Sequence, residues 1–357
     1  MTETTGIDKS GRVREEDALP IDNVREYLAS VQSDFNIDDD IEILQYPSGA
    51  SNLTYEIRYS GNALILRTAP RGANIKSAHD MGREFNVLSK LGNHFAYCPK
   101  PIAHCEDVTV IGREFYLMEK IAGMIPRQTM PIEFRPEQLR SLCEQLMDIQ
   151  LQLHEIDIQE TGLIEMGKPM GYVARQVAGW CERYRNARTD DVPDANDLMQ
   201  WLSDNQPDDC YQTPEQASFI HNDYKLDNIV LDASQPDRII SVLDWEMATV
   251  GDPMMDLGNS MAYWINANDP EPMHHIAMMP TRDMGMMTRE QLVDYYLSKS
   301  ELQIDSFDYY HCFGLFRLAV IAQQIYKRFK EGKTTNPKFA VLGQFVNILI
   351  TAAQRYY

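Results

Sequence analysis

The chain has 357 residues, and 33 lysines and arginines against 53 aspartates and glutamates give it a formal charge of −20. A surface that negative repels phosphate backbones and anionic headgroups, which argues against a nucleic-acid or membrane-surface partner. With 44% apolar and 10% aromatic residues it is no disordered chain, and about two domains, or one in two lobes, are expected at roughly 100–200 residues each. Six scattered cysteines without a C-x-x-C pair read as reduced, mostly buried thiols. No apolar secretory segment opens the sequence and no run of 18 apolar residues occurs, so a soluble, cytoplasmic protein is expected. The acidic stretches 34–42 and 190–209 read as solvated loops, or as an acidic mouth for a cationic substrate.

Residues 1–22 are polar and aperiodic and predict a flexible or loosely docked tail. Strands are expected over 41–46, 53–59 and 63–68, with turn residues at 47–49 and a hairpin turn at 60–62. A helix over 80–91 follows from the spacing of Phe85, Leu88 and Leu91, with Gly92 as its stop. Strands at 103–106 and 114–120 would complete a small five-stranded sheet, and Gly123 and Pro126 mark a break.

Beyond the break the pattern turns helical. Pro136-Glu137 opens a helix in which Leu139, Leu142, Leu146, Ile149 and Leu153 recur at three- and four-residue steps. Further helices are expected over 172–188, 290–299, 309–330 and 337–354, with 218–230 and 238–243 extended. The domains read as 23–120, sheet-rich, and 121–357, mainly helical.

The chemistry concentrates in Phe219-Ile220-His221-Asn222-Asp223-Tyr224-Lys225-Leu226-Asp227-Asn228-Ile229-Val230, an H-x-D followed by four residues and Asn. Asp244 comes 16 residues after Asn228, within Val242-Leu243-Asp244-Trp245-Glu246. Phosphoryl transfer from ATP needs one carboxylate to orient the acceptor hydroxyl and hard oxygen ligands for Mg²⁺. Asp223 fits the first role; Asn228 and Asp244 fit the second.

The triplet His221, Asp223 and Asn228 resembles the catalytic loop of kinase-like enzymes. With L-D-W-E at 243–246 and G-D-P-M-M-D-L-G at 251–258, the chain is similar to the aminoglycoside phosphotransferase/choline kinase family. The resemblance implies an α+β, bilobal protein-kinase-like fold with ATP in the cleft. It places Ser48, Gly49 and Ser51 in the phosphate-covering hairpin and Arg67 at the strand position of the phosphate-contacting cation. Glu84 takes the place of the helix glutamate that pairs with it, and Glu119 and Ile121 lie in the adenine-holding linker. Two departures stand out: the loop has one glycine, Gly49, and Arg67 replaces a lysine, whose point charge lacks arginine's planar fork.

The stretch Phe313-Gly314-Leu315-Phe316-Arg317-Leu318-Ala319-Val320, with Leu66-Arg67, Ser77-Ala78-His79 and Arg83-Glu84-Phe85, is similar to the kinase half of acyl-CoA-dehydrogenase fusion proteins. That subgroup implies phosphorylation of a small-molecule hydroxyl, on a hydroxyacyl-CoA-type metabolite. An aminoglycoside-type antibiotic kinase and a catalytically silent nucleotide-binding or scaffold protein are the alternatives. His221 reads as a loop brace and Asp252 and Asp256 as anchors of a helix start and of loop backbone. Lys225 reads either as a phosphate contact or as a solvated lysine. Asp227 and Glu246 read as hydrogen-bond partners behind the Mg²⁺ ligands. The methionines between 273 and 287 suggest a deformable apolar wall or plain core.

Overall fold

The computed structural model of the chain describes residues 10–47, 52–70, 80–334 and 336–357. Two units divide it: the chain up to Ile125 together with Ile229–Met247, and Pro126–Asn228 together with Ala248–Tyr357. The elements run β1 (Gly11–Arg12), α1 (Ile21–Val31), β2 (Ile41–Gln45), β3 (Leu53–Tyr59), β4 (Asn62–Thr68), α2 (Met81–Leu91), β5 (Pro101–Cys105), α3 (Val108–Ile111) and β6 (Phe115–Glu119). Next come α4 (Pro136–His154), α5 (Tyr172–Ala187), α6 (Asn196–Asp204), β7 (Ser218–Ile220), β8 (Ile229–Leu231), β9 (Ile239–Val242) and β10 (Thr249–Gly251). The chain closes with α7 (Pro253–Tyr263), α8 (Glu271–His275), α9 (Arg289–Lys299), α10 (Asp308–Lys330) and α11 (Leu342–Ala353).

In the first unit, β3 explains the sheet. Tyr55, Ile57 and Tyr59 alternate onto a face fully covered by Val24 and Leu28 of α1, together with Leu64, Leu66, Phe115 and Leu117. Thr54, Glu56 and Arg58 take the other face, which β4 continues with Ile65 and Arg67. The β3–β4 hairpin turns through Ser60 and Gly61, both at positive φ (42° and 83°), the backbone a two-residue hairpin demands. All pairings are antiparallel, in the order β1-β2-β3-β4-β6-β5.

The sheet therefore has six strands where the sequence predicts five. The extra one, β1, pairs Gly11 with Gln45 and Arg12 with Leu44, and comes from the segment read as a tail. Around it Arg14 and Gln45 both donate to the buried Asp17 carboxylate, at 2.8 Å each, and the Tyr55 hydroxyl donates to the Asp17 carbonyl. Short polar segments carry no periodicity, so nothing in their sequence announces such docking.

The β8–β9 hairpin belongs to the same unit. The Val242 amide and the Ser241 hydroxyl both donate to Tyr97 O, and Met124 and Leu231 exchange backbone bonds. Trp245 packs edge-on against Phe95, with ring centroids 5.7 Å apart.

In the second unit α4 buries Leu139, Leu142, Leu146, Ile149 and Leu153, as their spacing predicts. The sequence marks only the start of helix α7, at Asp252; its extent escapes because Pro253 through Ala262 are all buried, which removes the amphipathic signal. Helix α6 lies in the acidic stretch read as loop; its Leu198, Met199 and Leu202 are buried. Helices α7 and α10 touch backbone to backbone: a Cβ on Gly258 would stand 2.3 Å from Tyr310 O, and one on Gly314 2.2 Å from Gly258 O. None of the described helices is long and apolar enough to cross a membrane.

Candidate active site

In the first unit the site is built around one guanidinium. Arg67 stands near the end of β4, opposite Tyr116 of β6, and is 9% exposed. Its Nη1 lies 2.7 Å from Glu84 Oε1 on α2. Its Nη2 lies 3.0 Å from Asp244 Oδ1 and 3.8 Å from Glu246 Oε2. Burial opposes the Arg67 charge, but Glu84 and the phenolic oxygen of Tyr116, then Asp244 and Glu246, overcome it and hold its pKa well above the ordinary value. Burial pushes the Glu84 carboxyl up, and Arg67 pulls it back. Arg67 Nε and Glu84 Oε2 are buried without a hydrogen-bond partner among the described residues.

Asp244 is placed by its neighbours. Its φ of 69° is left-handed, a conformation most side chains avoid. The next residue, Trp245, is 1% exposed and donates its indole N–H to Val242 O at 2.9 Å, which pins the turn. Glu246 is tied in turn by Asn52 Nδ2 at 2.8 Å, and its carbonyl accepts from Arg83. Three carboxylates thus surround Arg67, and the Asp244 side chain keeps 36% exposure. Among the described residues no three His, Cys, Asp or Glu side chains are grouped so as to hold a metal ion by themselves.

In the second unit the loop after β7 is fixed atom by atom. Asn222 takes a left-handed φ of 64° and is 8% exposed. Asp256 of α7 accepts from its amide at 2.6 Å and from that of His221 at 3.2 Å. The Asn222 side-chain oxygen accepts from Tyr172 and Asn259, and its backbone carbonyl accepts from Arg317 at 2.8 Å. Asp256 is fully buried; burial raises its carboxyl pKa, yet the His154 hydrogen bond and charge outweigh this and leave it lowered. His221 is fully buried and its Nδ1 accepts the Asp223 amide at 3.2 Å, a brace as expected.

That scaffold presents Asp223. Its Oδ2 lies 3.0 Å from Lys225 Nζ and 3.1 Å from Asn228 Nδ2. Asn228 Nδ2 also donates to the Asp223 carbonyl, so its Oδ1 is the atom left for a cation. Lys225 lies 3.7 Å from Asp227 Oδ1 and 4.6 Å above the Tyr263 ring, and is 14% exposed at its side chain, so it is no solvated lysine. Although burial would lower its pKa, Tyr263, Asp223 and Asp227 hold it above the ordinary value. Asp252 caps α7 through the amides of Met254 and Met255.

Arg67, Glu84 and Asp244 are thus brought together in one unit, and Asp223 and Asn228 in the other. Glu119 ends β6 and its side chain accepts from the Lys100 amide at 2.6 Å; Ile121 follows that strand. Ser48, Gly49 and Ser51 lie outside the described residues. Sequence reading missed Tyr116, His154, Asn259 and the role of Asn222, none of which carries a local signal. Arg317 did carry one: it is a cation in the middle of an apolar helix.

Within the acidic stretch 190–209, Asp191, Asp194 and Asp209 make internal bonds that fix local structure. Asp191 binds Tyr326 and Lys330, Asp194 accepts the Asn196 amide at the start of α6, and Asp209 accepts three amides at the start of α5.

Residues 42–285 match the model described as the phosphotransferase enzyme family. Acyl-CoA dehydrogenase family member 10 of Mus musculus is 31% identical over 333 residues, covering 93% of this chain and 30% of that protein. Acyl-CoA dehydrogenase family member 11 of Homo sapiens is 30% identical over 298 residues, covering 83% and 37%. The chain therefore spans about a third of the length of the curated relatives it matches. A crystal structure from Ralstonia eutropha JMP134, provisionally assigned as an aminoglycoside phosphotransferase, has a TM-score of 0.78 at 26% identity over 95% of this chain and 99% of that one. Choline kinase from Cryptosporidium parvum has a TM-score of 0.63 at 12% identity over 93% and 94%. The likeness shows a protein-kinase-like fold.

Proposed function

Because the chain belongs to the phosphotransferase enzyme family, we propose that it is an ATP- and Mg²⁺-dependent small-molecule kinase whose acceptor is the hydroxyl of a hydroxyacyl-CoA-type metabolite. The observation that carries the reaction is the Asn222–Asp223 turn, in which each backbone and side-chain anchor serves to hold one carboxylate. Asp223 orients the acceptor hydroxyl and takes up its proton as the bond to phosphorus forms. Lys225, beside it, screens negative charge as the phosphoryl group approaches.

Asn228 Oδ1 and the Asp244 carboxylate are the Mg²⁺ ligands in this reading. Bound Mg²⁺ neutralises the nucleotide phosphates. Arg67 adds a fixed positive charge for the same phosphates, and Glu84 keeps its side chain extended from β4. The linker at Glu119 and Ile121 offers backbone groups to the adenine, and the family resemblance assigns Ser48, Gly49 and Ser51, which lie outside the described residues, to the nucleotide phosphates.

The charges near Asp223 favour a neutral or anionic acceptor over a polycation. Lys225 touches Asp223, Arg317 holds the preceding carbonyl, and Arg127 donates to the Asp227 carbonyl. Within 190–209, Asp194 and Asp209 serve helix starts and Asp191 a local pair, which weakens the case for a cation-recruiting mouth. The test is Mg-ATP consumption across hydroxyacyl-CoAs, free hydroxy acids, amino alcohols and aminoglycosides. Turnover with hydroxyacyl-CoAs and none with aminoglycosides is expected. Turnover confined to aminoglycosides would overturn the acceptor class, and nucleotide binding without turnover on any acceptor would overturn the enzyme reading.

A further inference from the structure

We propose that Arg317 is a positioning residue of this reaction: it clamps the left-handed Asn222 and thereby aims the Asp223 carboxylate. The inference rests on Asp223 being the carboxylate that orients the acceptor hydroxyl. Arg317 sits in the middle of α10, 4% exposed, with its guanidinium 5.2 Å from the Trp180 ring centroid. Its Nη2 donates to the Asn222 carbonyl at 2.8 Å, and among the described residues it makes no ion pair with a carboxylate. A buried guanidinium without a counter-ion is costly, and an apolar side chain of similar volume would cost the helix less. What the charge supplies is a strong, directional bond to one carbonyl.

That carbonyl belongs to the residue whose backbone most needs holding. A left-handed asparagine relaxes unless its surroundings over-determine it. Asp256 fixes its amide, Tyr172 and Asn259 fix its side chain, and Arg317 fixes its carbonyl. The carbonyl is one of the two polar groups on the peptide that leads into Asp223; the other, the Asp223 amide, donates to His221 Nδ1 at 3.2 Å. Without Arg317 that peptide loses its charge-assisted bond, the strongest of the contacts that aim it, and the Asp223 carboxylate loosens with it. Arg317 touches neither nucleotide nor acceptor in this account, so its loss should spare nucleotide binding.

The test uses the full chain with Arg317→Gln, and Arg317→Lys as the variant that keeps charge and volume. Deuterium uptake is followed for a peptide spanning 218–228, with Mg-ATP KM and kcat measured on a hydroxyacyl-CoA acceptor. The expected result is uptake at least tenfold faster in that peptide alone, kcat at least tenfold lower, and Mg-ATP KM within twofold of wild type. Arg317→Lys should recover part of both the protection and the kcat. Unchanged uptake in the 218–228 peptide, or a rise spread evenly over the helices, overturns the proposal. If Arg317→Gln does not fold, Arg317→Lys alone decides by the same readouts. Uptake needs neither nucleotide nor acceptor, so an inactive wild type would overturn the functional reading and leave this test standing.

Discussion

Arg67 Nη2 lies 3.0 Å from Asp244 Oδ1 while Nη1 of the same guanidinium lies 2.7 Å from Glu84 Oε1. One planar fork thus holds the helix glutamate and the proposed Mg²⁺ ligand at once, which the point charge of a lysine does less well. Losing a charge-assisted bond costs about 1.5–3 kcal/mol, or roughly tenfold or more in rate or affinity. Arg67→Lys should therefore lower kcat/KM for Mg-ATP by about tenfold at unchanged acceptor KM. Steady-state kinetics with Mg-ATP varied checks this, and wild-type values in the variant would remove the fork from the mechanism.

Asp223 and Asp244 should fail differently. Asp223→Ala removes the group that orients the hydroxyl and should cut kcat by about 10²–10⁴-fold while leaving Mg-ATP binding intact. Asp244→Ala removes a proposed metal ligand, so Mg²⁺-dependent nucleotide affinity should go with the turnover. Calorimetric titration of each variant with ATP, with and without Mg²⁺, separates the two. Equal loss of binding in both would contradict the division of roles.

Glu56 predicts an acid limb in stability. It is 1% exposed on β3 and accepts from Arg58, Lys120, Ser10 and Tyr46. Burial alone would raise its carboxyl, but these four donors bring it down to about 2 from 4.5. A lowered folded-state pKa means stability present above the unfolded value and lost as pH falls from about 4.5 towards 2, on the order of 3 kcal/mol in full. Glu56→Gln should be less stable than wild type at pH 7, and the gap should narrow below pH 4.5. Denaturant titrations at stepped pH check this; a gap that stays constant from pH 7 to pH 3 would falsify the assignment.

Gly285 should tolerate no side chain. Its φ is +110°, and a Cβ there would stand 2.5 Å from Pro136 Cα, backbone that cannot step aside. Gly285→Ala should cost at least about 1–3 kcal/mol of stability, read as a lowered denaturant midpoint. The neighbouring Met286 sulfur lies 3.5 Å from Cys143 Sγ and Met287 is 3% exposed, so this part of the methionine-rich segment is core, while Met284 is 85% exposed.

Legibility in the sequence followed the physics of each element. The hairpin at Ser60–Gly61, the Arg67 strand and the Glu84 helix were readable because alternation, turn residues and helical spacing are local. The loop at His221–Asn228 and Asp244 was readable because its chemistry fixes its spacing. The length of helix α7 beyond its start at Asp252 was not, since burial on every side erases periodicity, and β1 was not, since two residues make no pattern. The anchors of Asn222 come from α5, α7 and α10, joined only by folding.

Gly258 and Gly314, where the two helices touch, stand on the same helices as Asp256 and Arg317. These helices carry the two clamps on Asn222, Asp256 on its amide and Arg317 on its carbonyl. A methyl group at either glycine would wedge the helices and open the clamp, with every polar residue of the site still in place. Two positions with no side chain, and no part in the chemistry, would then tolerate change as poorly as the carboxylates, and a scan for silent loss-of-function substitutions should find them first.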